Sequence, residues 1–418
     1  MPDAVTVVGQ GYVGLVLAMR AVEAGFTVTA VESDAERLEH LRAGRSYLED
    51  VGDEQLRAAL DTCRFHPVAE MPGGGPATIV IAVPTPLVDG VPDLSHVRAA
   101  CGAVGARLAP GSTVILESTT YPGTTEELVL EILERVSGLR CGRDFWLGYS
   151  PERIDPGNAA WTFTRIPKLV SGVDAASLER VRAFYERLVD TVVPVSRPRE
   201  AELAKLLENT FRHVNVALVN EFAVLAHALG IDVWETIGAA ATKPFGFLAF
   251  WPGPGVGGHC LPVDPLYLSW RVRLTADRPF RFVELANEVN RHMPGYVVDR
   301  LTAAFNLRGL SVRDRRVLLL GLAYKPDVGD LREAPALAVA QRLVALGADV
   351  RVADPHVRPA DVPLGVTLVD LDPDALSSAE MVVLLVPHAA FDLALVSAQA
   401  KHVFDCCHRL TGAHVEQL

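Results

Sequence analysis

The chain has 418 residues, too many for one ordinary domain, and at about 150 residues per domain it predicts two or three. Half the residues are apolar and 22% are charged, which excludes an intrinsically disordered protein. The 39 basic and 51 acidic side chains leave a net charge of −12, which argues against a nucleic-acid or anionic-membrane binder, since both need a basic face. Only five of the bases are lysines: Lys168, Lys205, Lys243, Lys325 and Lys401. In such a background each lysine asks for a reason, because its compact amine can lose a proton when buried. The six cysteines (Cys63, Cys101, Cys141, Cys260, Cys406 and Cys407) show no framework spacing and fit a reducing compartment. Residues 4–8 read as a strand with no basic segment before them, and the longest apolar runs, 317–320 and 381–386, are far short of a membrane span. A soluble, cytoplasmic protein is expected.

In chain order, residues 4–8, 27–31, 78–83 and 113–116 read as strands rich in β-branched residues, with helical periods over 14–24, 35–43 and 94–108. That alternation implies βαβ units and a parallel, doubly wound sheet. From Pro198 to about Gly230 the pattern changes. Leu203, Leu206, Leu207, Phe211, Val214, Leu218, Phe222 and Leu225 keep a period of three to four and predict one long amphipathic helix, a spine between domains or a dimer surface. A Gly/Pro-rich stretch follows over 243–265. From residue 316 the alternation returns, with strands at 317–320, 349–352 and 381–386 and a helix at 334–346. The expected fold is α/β, two doubly wound Rossmann-like regions joined by a long central helix and a helical segment.

Three motifs carry chemistry. Gly9-Gln10-Gly11-Tyr12-Val13-Gly14 has GxGxxG spacing after a strand and at the head of a helix. Gly9 makes the tight turn, Gly11 lets the backbone approach a pyrophosphate, and Gly14 lets helix and strand pack closely. Glu32 ends the second strand, 18 residues after Gly14, where a carboxylate accepts hydrogen bonds from an adenine-ribose diol and repels a 2′-phosphate. NAD is therefore expected rather than NADP. In the second motif, Gly253-Pro254-Gly255-Val256-Gly257-Gly258-His259-Cys260, five of the first six residues are Gly or Pro, so a ligand could lie against the backbone. A thiol at its end, with Asp264 four residues on, is either a nucleophile or a small buried residue in a turn. In the third, Glu202, Lys205, Asn209 and Arg212 recur at spacings of three, four and three and share one helix face. That face is either solvated or turned into a cleft, where the Lys205 ammonium and Asn209 amide would stabilise a developing oxyanion.

Together with Ser118-Thr119-Thr120-Tyr121-Pro122-Gly123-Thr124-Thr125, Ser150-Pro151-Glu152-Arg153-Ile154-Asp155-Pro156-Gly157-Asn158, and Lys325-Pro326-Asp327 with Arg332, these motifs resemble, in order and over nearly the whole chain, the nucleotide-sugar 6-dehydrogenases of the UDP-glucose/GDP-mannose dehydrogenase family. The resemblance implies an NAD-binding domain over 1–197, a central helical dimerisation domain over 198–300 that carries the cysteine loop, and a UDP-sugar-binding α/β domain over 312–418. It implies four-electron oxidation of a sugar C6 alcohol to a carboxylate by two NAD+, as in polysaccharide biosynthesis, and a homodimer. By motif, Cys260 is the implied nucleophile, passing through a thiohemiacetal and a thioester. Lys205 and Asn209 hold the oxyanion, Thr119 and Glu152 position water and assist proton transfer, and Asp264 supports the cysteine loop. Gly9, Gly11, Tyr12, Val13, Gly14, Glu32, Thr85 and Thr119 are implied at the cofactor. Glu152, Arg153, Lys205, Asn209, Arg212, Gly257, Lys325 and Arg332 are implied at the sugar nucleotide, with no metal.

The second α/β region has a single glycine in Gly321-Leu322-Ala323-Tyr324-Lys325, so a second NAD site is not expected there. Residues 150–158 and Lys243-Pro244-Phe245-Gly246-Phe247 look more like the UDP-N-acetylhexosamine branch, with UDP-N-acetylglucosamine the first choice, ahead of UDP-glucose, UDP-N-acetylmannosamine or a TDP-sugar. Two readings of other classes compete. A two-electron dehydrogenase of hydroxy-acid or 6-phosphogluconate type would make one NADH and need no Cys260. A non-catalytic sugar-nucleotide binder would have no use for the Cys260, Lys205 and Asn209 set.

Overall fold

The short runs of valine, isoleucine and leucine in the first half pair into one eight-stranded sheet, and those of the last hundred residues into a six-stranded one. The computed structural model describes residues 3–48, 50–75, 77–88, 90–155, 160–258 and 261–418. They divide into two compact units, Met1–Glu208 with Leu266–Arg278, and Asn209–Pro265 with Pro279–Leu418.

In the first unit the strands are β1 (Ala4–Val8), β2 (Thr27–Val31), β3 (Phe65–Val68), β4 (Thr78–Ile81), β5 (Leu87–Val88), β6 (Val91–Pro92), β7 (Thr113–Leu116), β8 (Trp146–Tyr149), β9 (Lys168–Gly172) and β10 (Val192–Pro194). β5 and β6 form a separate hairpin. The others run in the order β10-β9-β8-β7-β4-β1-β2-β3, parallel except where β9 meets β8. β4 and β7 are buried at every position, as strands covered by helices on both faces must be. The chain leaves β1 towards β2 on one side and β4 towards β7 on the other. The carboxyl ends of β1 and β4 thus flank a topological switch point, the place where such sheets bind ligands.

The second unit repeats the plan with β11 (Arg316–Leu320), β12 (Asp349–Ala353), β13 (Val366–Leu368), β14 (Met381–Leu384), β15 (Val403–Asp405) and β16 (Val415–Gln417). These are all parallel, in the order β13-β12-β11-β14-β15-β16, the same relative order as β3-β2-β1-β4-β7-β8. Each half is thus a Rossmann-like sheet. Met293, Val297, Leu301 and Phe305 of the helix Arg281–Leu307 pack with Val317, Leu319, Val339 and Leu343 to form the core of this half. That 27-residue helix keeps Pro294 in its interior.

The long helix is observed at Pro198–Leu229, and it buries a mixed face: Leu206, Ala217, Val219 and Ala223 are buried along with polar side chains. Glu202, Lys205, Asn209, His213 and Asn220 are buried, whereas Leu203, Leu207, Phe211, Leu218, Phe222 and Leu225 are exposed. The polar row is therefore internal, and of the predicted apolar row Leu206 is internal too. The solvated-face reading of Glu202 is therefore corrected: its side chain is fully buried.

Candidate active site

At the end of β1, Gly9 adopts φ +91° and its amide donates to the carbonyl of Val31 at 2.9 Å. A Cβ there would come within 2.5 Å of the Ala82 carbonyl, and one at Gly14 within 1.9 Å of the Gly9 carbonyl, so the helix head sits directly on the turn. A Cβ at Gly11 would meet nothing within 4 Å. Val13 caps the helix Gly14–Glu23 with no side-chain acceptor, and Tyr12 beside it is 38% exposed. Glu32 is buried; one oxygen accepts the Gln10 amide at 3.2 Å and the other the Asp34 amide at 2.9 Å. The Tyr47 hydroxyl donates to the Gln10 carbonyl at 2.6 Å, while Gln10 Oε1 is buried with no partner. Thr85, after β4, is buried, and its carbonyl accepts the Tyr267 hydroxyl at 2.6 Å. An open backbone at Gly11 and uncapped amides at the helix head as donors, with a buried carboxylate and an unsatisfied buried amide oxygen as acceptors, are the groups that a dinucleotide fits.

β7 ends in Glu117 and Ser118. Ser118 Oγ accepts from Val83 N at 3.0 Å and donates to Val83 O at 2.8 Å, tying the two strand ends together beside the half-buried Thr119. Glu202 grips the next turn: it accepts the amides of Gly123 (2.5 Å) and Thr125 (2.9 Å) and the Thr125 hydroxyl (2.7 Å). Burial pushes the Glu202 carboxyl above its usual range, and these three donors partly offset that.

Glu152 lies just beyond β8. One oxygen accepts the amides of Arg153 and Ile154, both at 2.5 Å, and the other meets the Lys168 amine at 3.2 Å. Lys168 also pairs with Glu117 at 2.5 Å, and the Tyr185 hydroxyl donates to the same Glu117 oxygen at 2.7 Å. Burial pushes Glu117 up, against the pull of Lys168 and with the repulsion of Glu152. Burial pushes Lys168 down, but its two carboxylates outweigh that and hold the amine above its usual value. The sequence names Glu152 as a candidate and carries no signal for Glu117 or Tyr185; for Lys168 the one signal is the scarcity of lysine. Arg153 pairs with Glu208 at 2.7 Å and donates to the Pro167 carbonyl at 2.6 Å. Lys205 is 8% exposed.

In the second unit Asn209 Nδ2 donates to Asp264 Oδ2 at 2.6 Å, and both side chains are buried. Cys260 and His259, like Pro156, Gly157 and Asn158 of the 150–158 motif, lie outside the described residues. The flanking loop is held from several sides. The Gly253 amide donates to Asn220 Oδ1 at 3.0 Å and the Gly258 amide to the Arg332 carbonyl at 3.0 Å. A Cβ at Gly257 would meet Glu333 O and Tyr324 at 2.8 Å, so backbone packs on backbone there. Asn220 is bridged through Asn290 to His213, whose ring burial pushes down to about 4. Arg212 is exposed; Lys325 is half-buried; Arg332, 51% exposed, is forked onto Asp330 at 2.6 Å.

Gly321 repeats Gly9, with φ +86° and a Cβ that would strike the Val386 carbonyl at 2.6 Å. The acid that ends β12, Asp354, turns inward onto the amides of Leu322 (2.7 Å) and Ala323 (3.1 Å) and onto His388 (3.1 Å). Burial raises its carboxyl, but these donors together with the His356 amide prevail and hold it at about 2. A cleft beside this turn is lined by Gly255, Tyr324, Lys325, Pro335 and Val386.

Fold and sites define a protein of two Rossmann-like halves, the first carrying a dinucleotide-type glycine turn. Models of three domains match the chain: the NAD binding domain of the UDP-glucose/GDP-mannose dehydrogenase family at 3–189, its central domain at 199–292 and its UDP binding domain at 318–411. The chain belongs to the UDP-glucose/GDP-mannose dehydrogenase family, NAD-dependent enzymes that oxidise nucleotide sugars at C6. It is 35% identical over 391 residues to a Pseudomonas aeruginosa UDP-N-acetyl-D-glucosamine 6-dehydrogenase, covering 93% of this chain and 91% of that protein. It is 34% identical over 359 residues to a Pyrococcus horikoshii UDP-N-acetyl-D-mannosamine dehydrogenase, covering 85% and 84%. The solved structure of a UDP-D-ManNAc dehydrogenase from the same archaeon superposes with a TM-score of 0.88 at 29% identity, covering 99% of this chain and 98% of that one. Among the described residues no helix is long and apolar enough to cross a membrane.

Proposed function

We propose that this chain oxidises C6 of UDP-N-acetylglucosamine from alcohol to carboxylate. One water and two NAD+ are consumed, and two NADH and three protons are released. The Gly9–Gly14 turn and Glu32 would hold NAD+, which would supply the hydride acceptor for each two-electron stage. The Cys260 thiolate adds to the C6 aldehyde to give a thiohemiacetal, whose oxidation gives a thioester that water cleaves, with the thiol as leaving group. Lys205 and Asn209 stabilise the oxyanion of these adducts. Asn209 is fixed by Asp264, at the head of the helix Asp264–Ala276 that follows the cysteine loop. Thr119 and Glu152 orient the water and take its proton. Tyr12, Val13 and Thr85 border the cofactor, while Arg153, Arg212, Gly257, Lys325 and Arg332 serve the sugar nucleotide; a pyrophosphate at Arg332 would have to share it with Asp330.

The observation that carries this reading is the buried 2.6 Å Asn209–Asp264 hydrogen bond. A solvated helix face has no use for a buried amide tied to a buried carboxylate. The domain division proposed is 1–197 for the cofactor, 198–300 for dimerisation and the cysteine loop, and 312–418 for the UDP-sugar. A cytoplasmic homodimer is proposed, its interface the exposed apolar row of Pro198–Leu229. The Pseudomonas relative favours N-acetylglucosamine as the sugar; the Pyrococcus relative, at nearly equal identity, favours the mannosamine epimer as the second reading. A panel of UDP- and TDP-sugars with NAD+, read by NADH absorbance and product mass, tests the assignment. Fastest turnover of UDP-N-acetylglucosamine to its uronate supports it, and failure to oxidise that sugar refutes it.

A further inference from the structure

Tyr185, Glu117 and Lys168, which the reaction scheme above does not use, join Glu152 in a buried ionisable chain of the first unit. Tyr185 donates to Glu117 at 2.7 Å, Lys168 bridges Glu117 at 2.5 Å and Glu152 at 3.2 Å, and the second Glu117 oxygen is buried with no partner. Lys168 and Glu117 side chains are 4% and 0% exposed, and that of Glu152 is 11% exposed. Two carboxylates sharing one ammonium leave a net negative charge in a dry site, where like charges cannot all persist cheaply. The two acids are not equivalent. Glu117 is the deeper and has an oxygen with no donor, whereas both oxygens of Glu152 receive donors: the Arg153 and Ile154 amides on one, Lys168 on the other. Burial pushes the Glu117 carboxyl up, and among the described residues Lys168 is the one side-chain donor that reaches the second Glu152 oxygen.

We propose that Lys168, held in place by Glu117 and Tyr185, is a positioning residue that fixes the Glu152 carboxylate where it takes a proton in the reaction. The proposal rests on the reading of Glu152 as the proton acceptor. Among the described residues, Arg153, the neighbour of Glu152, pairs with Glu208 of the long helix at 2.7 Å, so these two charges neutralise each other. Phe163 and the Tyr185 ring cover the amine at 5.5 Å and 5.1 Å, which keeps water from screening it. The proton path balances without a further reagent. Glu152 accepts one proton from water as that water attacks C6, and it releases the proton to solvent before the next turnover.

The test is the pH profile of kcat with the UDP-sugar turned over fastest, for Lys168→Met, Lys168→Arg, Glu117→Gln and Glu152→Gln. An opposite charge at this range lowers a carboxyl by about 1–3 pH units, so Lys168→Met should move the acidic limb upward by that amount. Below the limb that is a roughly 10- to 1000-fold loss of kcat, with KM for the sugar changed less than about threefold. Lys168→Arg should restore most of the shift. Glu117→Gln should leave the limb in place or lower it, since the ammonium then serves Glu152 alone. A Lys168→Met enzyme that loses thermal stability but keeps the wild-type limb would show a purely structural lysine and overturn the proposal. If Lys168→Met does not fold, Glu117→Gln decides: an upward shift of its limb overturns the proposal, and a fixed or lowered limb supports it. Glu152→Gln separates the two levels. Undiminished kcat in that variant refutes the role of Glu152 itself, whereas a large loss of kcat beside an unmoved Lys168→Met limb refutes only the role of Lys168.

Discussion

Replacing Leu218 by Glu on the long helix should break the proposed dimer while leaving the fold intact. Leu203, Leu207, Phe211, Leu218, Phe222, Leu225 and Leu229 are each 44–64% exposed although they line one row of a 32-residue helix. With about 190 Å² for a fully exposed side chain of this size, the row presents roughly 700 Å². Two copies facing each other would bury about 1,400 Å², within the range of about 1,200–2,000 Å² for stable specific interfaces. Leu218 lies near the middle of the row, where truncations cost about 2 kcal/mol or more, and a buried carboxylate costs further. That corresponds to a dissociation constant raised at least ~30-fold. The assay is light scattering after size exclusion over a concentration series, with Leu364→Glu as a control, since Leu364 is 98% exposed and is not part of the helix. A wild-type protein that is monomeric at micromolar concentration, or a Leu218→Glu variant that dimerises as tightly as wild type, would refute the reasoning.

Three further outcomes are expected. NAD+ should be preferred over NADP+ by at least about tenfold in kcat/KM, the value of 1.4 kcal/mol, and Glu32→Ala should narrow the gap; equal use of both by the wild type would remove Glu32 from the ribose. An unfolded histidine titrates near 6.5 and His213 in the fold near 4, so the unfolded chain takes up that proton first. His213 therefore supports the fold above about pH 6.5 and withdraws about 3 kcal/mol as the pH falls towards 4, and His213→Gln should flatten that part of the stability curve measured by urea unfolding. Cys260→Ala should bind UDP-sugar and NAD+ with near-normal affinity in calorimetry yet form almost no uronate. Cys260→Ser should accumulate a substrate-sized ester visible by mass spectrometry, because an alkoxide leaves less readily than a thiolate. Wild-type uronate formation by Cys260→Ala would make Cys260 a structural residue.

The parts legible in the sequence were those where one local signal suffices. β1, β2, β7 and β12 are β-branched runs bounded by turns, and Gly9–Gly14 names its own conformation, because only glycine avoids the Ala82 and Gly9 carbonyls. β8, β9 and β10 went unassigned: they are short, and Gly148 and Gly172 interrupt the pattern where Cβ atoms would strike Ser171 and Leu178. The helix Arg281–Leu307 was hidden by Pro294-Gly295, which tertiary packing against β11 and the helix Pro335–Ala345 overrides. The long helix was found by its apolar period, but most of that period marks its exposed row. Partners distant in sequence decide sidedness: Glu202 is drawn inward by Gly123 and Thr125, Asn209 by Asp264 and Asn220 by Asn290. The same holds for Lys168, whose rarity raised the question and whose role appears only once β7, β8 and β9 lie side by side.

The central claim is a four-electron oxidation completed on one enzyme, and counting NADH formed per UDP-N-acetylglucosamine consumed tests it most directly. The mass of the product is taken from the same reaction. The account predicts two NADH per sugar and a product heavier by the conversion of CH2OH to COOH, with no free aldehyde accumulating. One NADH per sugar, with an aldehyde or ketone as the end product, would contradict it.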